Sequence, residues 1–332
     1  MVSRGLKIVF FGVLFIFVLA IWKWYWKIQI MYNSSILSLY TPDTFPIPEN
    51  LKQSYHSAVN NGFELSKTKR VVFAALVRDV EDRMPEIEKK VEKMGKMFED
   101  YRVLIVENDS KDGTRKYLLS WAKRNPRVTI LGCGHNVTGT CSIKSAVDKT
   151  DGHGVDRRRI NKMVDLRNIY LEEIKTNQEL AEFDYAIFWD LDMIGSVYID
   201  GVAHSMDYLE RRPDIDVVCA YGIYRWGLLT LFYDTYALLL KNEPFHIDMK
   251  TVHDVRKGLW EAKYDRGEDP VEVDSCFSGF AIYRVKSLLP DNVIYDMSDE
   301  NNLECEHVRL NIKIKGGKVF NPSMINLVLE NR

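Results

Sequence analysis

YAIFWDLD occupies residues 185–192, and the reading of these eight residues decides the fold. The first five, Tyr185 to Trp189, are apolar or aromatic, carry no charge, and are too few for a helix, so they read as a strand covered on both faces. The strand then runs into Asp190-Leu191-Asp192, where two carboxylates two residues apart lie on one side of an extended backbone. Hard oxygen ligands in that arrangement hold Mn²⁺ or Mg²⁺ without a full protein cage, leaving coordination positions for water and phosphate oxygens.

Working outward, VVFAALV (71–77), VLIV (103–106) and VTIL (128–131) are further continuous apolar runs of strand length. Between them, Pro85 to Phe98 and Arg115 to Arg124 carry apolar residues at helical spacing, and a long helix is expected from Arg157 to about Thr176, just ahead of Tyr185. Strand and helix alternating at this spacing predict βαβ units and a mostly parallel, Rossmann-like sheet flanked by helices. The polar, Gly-rich stretch 132–156 interrupts the pattern and reads as a functional or mobile loop.

The composition agrees with a globular domain and excludes other classes. With 45 Lys+Arg against 47 Asp+Glu in 332 residues, the net charge of −2 offers no basic field for a nucleic acid. Apolarity is concentrated at the N-terminus, where Ile8 to Trp22 carry no charge between Arg4, Lys7 and Lys23. Fifteen helical residues reach about 22 Å, short of a roughly 30 Å bilayer core, but snorkelling by Lys23 and an interfacial seat for Trp24, Tyr25 and Trp26 extend the span. The expectation is a transmembrane signal-anchor in residues 1–30 with type II orientation, a stem over 31–69 and a catalytic domain over 70–332; a cleaved signal peptide is the competing reading. Of three N-x-[ST] sequons, at Asn33, Asn108 and Asn136, only Asn33 sits in the polar stem. The five cysteines show no C-x-x-C spacing, which argues against a structural zinc site.

Ligands of open α/β sheets bind beyond the carboxyl ends of the strands. A second acidic cluster, ENDSKDGT (107–114), leaves the second strand. Together with Asp190 and Asp192 it resembles the GT-A glycosyltransferases. That resemblance implies that Arg78, Asn108, Asp109 and Asp112 bind the nucleoside. Asp112 or Ser110 also suits a helix N-cap, and Arg78 with Asp79 suits a solvated turn.

Four further segments resemble, in order, the fungal capsule-associated α-1,3-mannosyltransferase-like family: RRINKMVDLRNIYLEEI (158–174), YDTYAL (233–238), VEVDSCFSGFAIY (271–283) and LECEHVRLNIKIKGGKVFNPSM (303–324). Here Phe277-Ser278 stands where the family has Trp-Asn, and Glu306 follows Cys305 where the family has a second Cys. The resemblance implies a metal-dependent enzyme moving a hexose, with mannose from GDP-mannose favoured, to a glycan acceptor in a Golgi or ER membrane, or a host secretory membrane for a viral chain. It assigns the ion to Asp190 and Asp192 with His307 as third ligand, and the nucleotide sugar to Asp190, Arg167 and Asn168. Asp234, Asp274 and Glu304 stand as candidate catalytic carboxylates, and Cys276–Cys305 as the disulfide. A sugar-nucleotide nucleotidyltransferase and a non-catalytic carbohydrate-binding protein of the same fold are the alternative readings.

Overall fold

In the computed structural model, which describes residues 15–22, 45–132, 157–193, 195–226, 229–243, 264–296 and 304–328, the apolar runs form one 11-stranded sheet. Strands β1 (Arg70–Val77), β2 (Asp100–Glu107), β3 (Val128–Leu131) and β4 (Tyr185–Trp189) are parallel, in the order β3-β2-β1-β4. Their continuous apolarity follows from having two buried faces. Val71, Phe73, Ala75 and Val77 enter one core, while Val72 and Ala74 enter the other. The first core also takes Val91 and Met94 from Met84–Gly95 and Leu118 and Trp121 from Thr114–Arg124, whereas Arg157–Thr176 gives Val164, Tyr170, Leu171 and Ile174 to the second.

The expectation of a mostly parallel sheet is corrected by the second half of the chain. Strand β10 (Phe280–Arg284) runs antiparallel between β4 and β6 (Ile215–Trp226), and β11 (Gly317–Val328) is parallel to β6. Strands β5 (Gly195–Val197), β7 (Leu229–Phe232), β8 (Leu239–Leu240) and β9 (Val271–Ser275) add antiparallel pairs. After β4 the strands no longer alternate regularly with long helices, so the physical basis for parallel crossovers ends there.

The stem expectation is corrected over its second half. Helix α1 (Lys52–Ser66) packs on α6 (Ile199–Arg211), numbering helices from α1 through α2 (Met84–Gly95), α3 (Thr114–Arg124), α4 (Arg157–Thr176) and α5 (Gln178–Ala181). Its buried stripe is Tyr55, Ala58, Val59, Gly62 and Ser66, a helical spacing that small residues hide from a hydrophobicity reading. A Cβ on Gly62 would lie 1.8 Å from the Ala203 carbonyl oxygen, so the two helices touch backbone to backbone. Of the N-terminal apolar segment only 15–22 is described, as helix; among the described residues no helix is long and apolar enough to cross a membrane. The sequons at Asn33 and Asn136 and the loop from 133 lie outside the described residues.

The disulfide joins Cys219 of β6 to Cys276 just after β9, with Cα atoms 5.9 Å apart, and Cys305 is a buried free thiol. The expected Cys276–Cys305 bridge is thereby corrected: Cys276 has its partner in Cys219 of β6.

Beneath α1, His204 is 6% exposed, stacks on Tyr55 at 5.5 Å, and has Asn321 Nδ2 3.1 Å from its Nδ1. Burial pushes its pKa from 6.5 down to about 4. A base held neutral in the fold stabilises it fully above its unfolded pKa and loses that contribution as pH falls from 6.5 toward 4. The loss should reach about 3 kcal/mol. Urea unfolding at pH 7.5 and 4.5 should show it, and His204→Gln should remove most of the difference; equal slopes in both proteins would contradict the assignment.

Candidate active site

The order β3-β2-β1-β4 makes the chain leave β1 on one side and return on the other, which opens a crevice at the carboxyl ends of β1 and β4. Five described non-glycine residues have positive φ, and four of them border this end of the sheet: Asp79 (52°), Asp109 (50°), Asp234 (69°) and Ser278 (55°). Backbone held in that region against its steric cost is concentrated where loops must take one shape.

On the β1 and β2 side, a mesh of side chain to backbone bonds fixes the loops. Asp79 N donates to Ser110 Oγ (3.1 Å), Lys111 N to Asp79 Oδ1 (2.6 Å), and Ser110 N to Glu107 Oε1 (2.7 Å). Glu107, fully buried, also accepts Arg115 Nε at 2.5 Å. Within this frame Arg78 Nε, 3.5 Å from Asp79 Oδ2, and Asn108 Oδ1 are buried atoms without a hydrogen-bond partner among the described residues. Lys162 of α4 is buried here too, its pKa lowered by burial and by Arg78, against the pull of Asp109 and Asp79. A buried acceptor and donor left open beside two cations are what an anionic, hydrogen-bonding ligand would complete.

At the end of β4, Asp190 N donates to Gly279 O at 2.9 Å, which ties the carboxylate loop to the 276–279 turn. Gly279 has φ of 77°, and a Cβ there would fall 2.5 Å from Met193 Sδ, so any other residue would be strained. Asp234 clamps the same turn, its Oδ2 accepting Ser278 N at 2.9 Å and its Oδ1 accepting Ala237 N at 3.3 Å. The carboxyl of Asp190 is raised well above the ordinary value, by burial first and then by the charges of Asp192 and Asp234, against Arg167. Burial likewise raises Asp192, although its side chain is exposed. Two phenols stand nearby: that of Tyr233 is raised by burial and by Asp234, Asp190 and Asp192, that of Tyr236 by burial and by Cys305, Glu306 and Glu304.

Asp190, Asp192, Asp234 and Arg167 are therefore neighbours, the buried Glu304 lies near Tyr236, and Arg78, Asn108 and Asp109 form the adjoining wall. Other expected residues hold the fold. Asn168 exchanges both amide bonds with the Tyr295 backbone (2.8 and 3.0 Å), and Asp112 caps the start of Thr114–Arg124 while accepting Glu81 N. Asp274 lies on β9, next to the last strand β8, ion-paired to Lys241 at 3.0 Å, which holds its carboxyl below the usual range together with Asn242 N. His307 is stacked on Phe277 at 3.6 Å, next to Arg167, and burial with that cation keeps it neutral. Among the described residues no group of three or more His, Cys, Asp or Glu side chains stands ready to hold a metal ion, and His307 meets Phe277 and Tyr295 ring to ring.

Two cations escaped the sequence reading. Arg83 Nη1 donates to the Asp192 carbonyl at 2.6 Å, and Arg159 acts on Asp192, Tyr233 and Tyr236.

A sequence profile of the family described as Cryptococcal mannosyltransferase 1 matches residues 70–309. No curated protein matches the sequence. Solved structures of similar fold include the mannosyltransferase PcManGT from Pyrobaculum calidifontis in complex with GDP-Man and Mn²⁺, at 12% identity and TM-score 0.42, covering 85% of this chain and 68% of that one. S. aureus TarS with UDP-GlcNAc aligns at 13% identity and TM-score 0.44, over 79% of this chain and 60% of that one. GalNAc-T7 with UDP, GalNAc and Mn²⁺ aligns at 11% identity and TM-score 0.45, over 87% of this chain and 55% of that one. The chain thus spans less than two thirds of the latter two.

Proposed function

Because this chain belongs to the cryptococcal mannosyltransferase family, we propose that it transfers a hexose, with mannose from GDP-mannose favoured, to a glycan or glycoconjugate acceptor. We place the reaction at Asp190 and Asp192 and assign residues 1–30 as a single-pass type II anchor in a Golgi or ER membrane.

The observation that carries the reading is the carboxylate cluster at the β1/β4 crevice. Asp190 and Asp192 end β4 with Asp234 close by; burial raises both carboxyls, and at Asp190 the charges of Asp192 and Asp234 add to that rise. Mn²⁺ or Mg²⁺ fits that donor set, held by Asp190 and Asp192 and completed by oxygens that the protein does not supply. When bound, such an ion supplies Lewis-acid stabilisation of the departing diphosphate. The chain's own residues do the remainder. Arg83 and Arg159 bring positive charge to the side of Asp192, Arg78, Lys162 and Asn108 receive the nucleotide, and the Asp234 clamp on the 276–279 turn keeps Asp190 at the end of its strand. The loop after β1 reads RDVEDR and has no glycine, so nothing here favours the phosphate loop of a nucleotidyltransferase.

Asn108 provides the test. Asn108→Leu removes the open buried acceptor at similar volume and should weaken GDP binding roughly tenfold, the cost of about one hydrogen bond to a buried group. Calorimetric titration of GDP, UDP and CDP in Mn²⁺ would measure it. Identical affinities of wild type and variant for every nucleotide would remove Asn108 from the site.

A further inference from the structure

We infer that Glu306 is a positioning residue for Asp190 and acts through Arg167, an inference that rests on the metal-dependent reading above. Sequence reasoning gives Arg167 to the phosphate or the sugar. The geometry gives it to the protein. Arg167 is 3% exposed and its guanidinium is engaged on each nitrogen: Nε donates to Glu306 Oε1 at 3.1 Å, Nη2 to Asp190 Oδ1 at 3.1 Å, and Nη1 to Tyr170 OH at 3.3 Å. The guanidinium carbon lies 5.3 Å from the Phe277 ring, which is itself stacked with His307 at 3.6 Å. Tyr170 OH is in turn 3.1 Å from Tyr295 OH, and the Tyr295 backbone is locked by Asn168.

A planar fork held on three sides has one orientation, so it fixes which oxygen of Asp190 it binds and the plane of that carboxylate. Glu306, at the first position of Glu306–Asn311, sets the far end of the fork. Flanked by two carboxylates, Arg167 orients Asp190 without making the cluster neutral. Partners of this kind, one step behind a ligand, typically change metal affinity or activity by about 10–100-fold when removed.

The experiment measures binding of Mn²⁺ alone to the full chain by the loss of the free-ion EPR signal, together with kcat at increasing Mn²⁺. Glu306→Ala should weaken Mn²⁺ about tenfold, with kcat recovering as Mn²⁺ is raised; Glu306→Gln, which keeps an acceptor for Nε, should stay within about threefold of wild type. Should Glu306→Ala not fold, Arg167→Lys carries the same tenfold expectation, since one ammonium cannot span both carboxylates. Unchanged Mn²⁺ binding in the variants, a Gln variant as weak as Ala, or a kcat that excess Mn²⁺ leaves low would each overturn the positioning role. Wild type that binds no Mn²⁺ would overturn the metal-dependent reading itself.

Discussion

Asp192→Ala is expected to slow nucleotide release from the donor roughly a hundredfold or more, the loss that follows when about 3 kcal/mol of charge stabilisation at a leaving diphosphate is removed. The fold should not suffer. Asp192 is exposed, and its charge acts on Asp190 as a like charge, so deleting it relieves repulsion and removes one of the causes that raise the Asp190 carboxyl. The unfolding midpoint of the variant should equal or exceed that of wild type, as happens where a site is built at the expense of stability. Asp274→Ala is the contrast: its carboxylate sits in a surface pair with Lys241, away from the cluster, and its loss should change activity less than about threefold. Steady-state rates and thermal unfolding on both variants measure these expectations. A collapsed midpoint for Asp192→Ala, or an inactive Asp274→Ala, would contradict them.

The largest stability effect should come from the N-terminal side. A chain beginning at residue 45 should fold like the full protein, whereas one beginning at residue 70 should lose roughly 5 kcal/mol, comparable with the whole stability of many domains. The second cut removes the buried Tyr55, Ala58 and Val59 and uncovers Ala203. It also breaks a buried polar knot, in which Tyr55 OH donates to Asp200 Oδ2 at 2.8 Å while Arg266 reaches Asp200 (2.7 Å), Tyr55 OH (2.8 Å) and the Phe45 carbonyl (2.9 Å). Arg266 and Asp200 would remain with part of their hydrogen bonding unmade, which costs more than never having had it. Urea unfolding of the two truncations tests this, and equal midpoints would refute it. Membrane fractionation of the same series tests the proposed anchor: the full chain should resist carbonate extraction and the 45–332 chain should not.

How legible this was follows from which physical signals a sequence carries. The four parallel strands announced themselves because burial on both faces leaves an unbroken apolar run, and Tyr185–Trp189 is bounded as expected. The Asp190 and Asp192 pair was legible for the same reason, as polar residues that end such a run. Helix α1 was not, because three of its five buried residues are Ala58, Gly62 and Ser66, whose value is closeness and not hydrophobicity. Long-range partners were illegible as well. Nothing in the local sequence says that Cys276 faces Cys219, or that Arg167 lies between Asp190 and Glu306, 23 and 139 positions away. Asp234, read as a candidate catalytic carboxylate, accepts the backbone amides of Ser278 and Ala237, partners that its local sequence does not announce.

The most direct test is the release of GDP from GDP-mannose by the full chain, with Mn²⁺ and with EDTA, each in the presence and absence of a mannose-containing glycan. The expected result is GDP release that requires the metal, rises with the acceptor and is accompanied by mannose on the glycan. No release from GDP-mannose or any other sugar nucleotide with Mn²⁺ or Mg²⁺, or release that EDTA leaves unchanged, would contradict a metal-dependent transfer at Asp190 and Asp192.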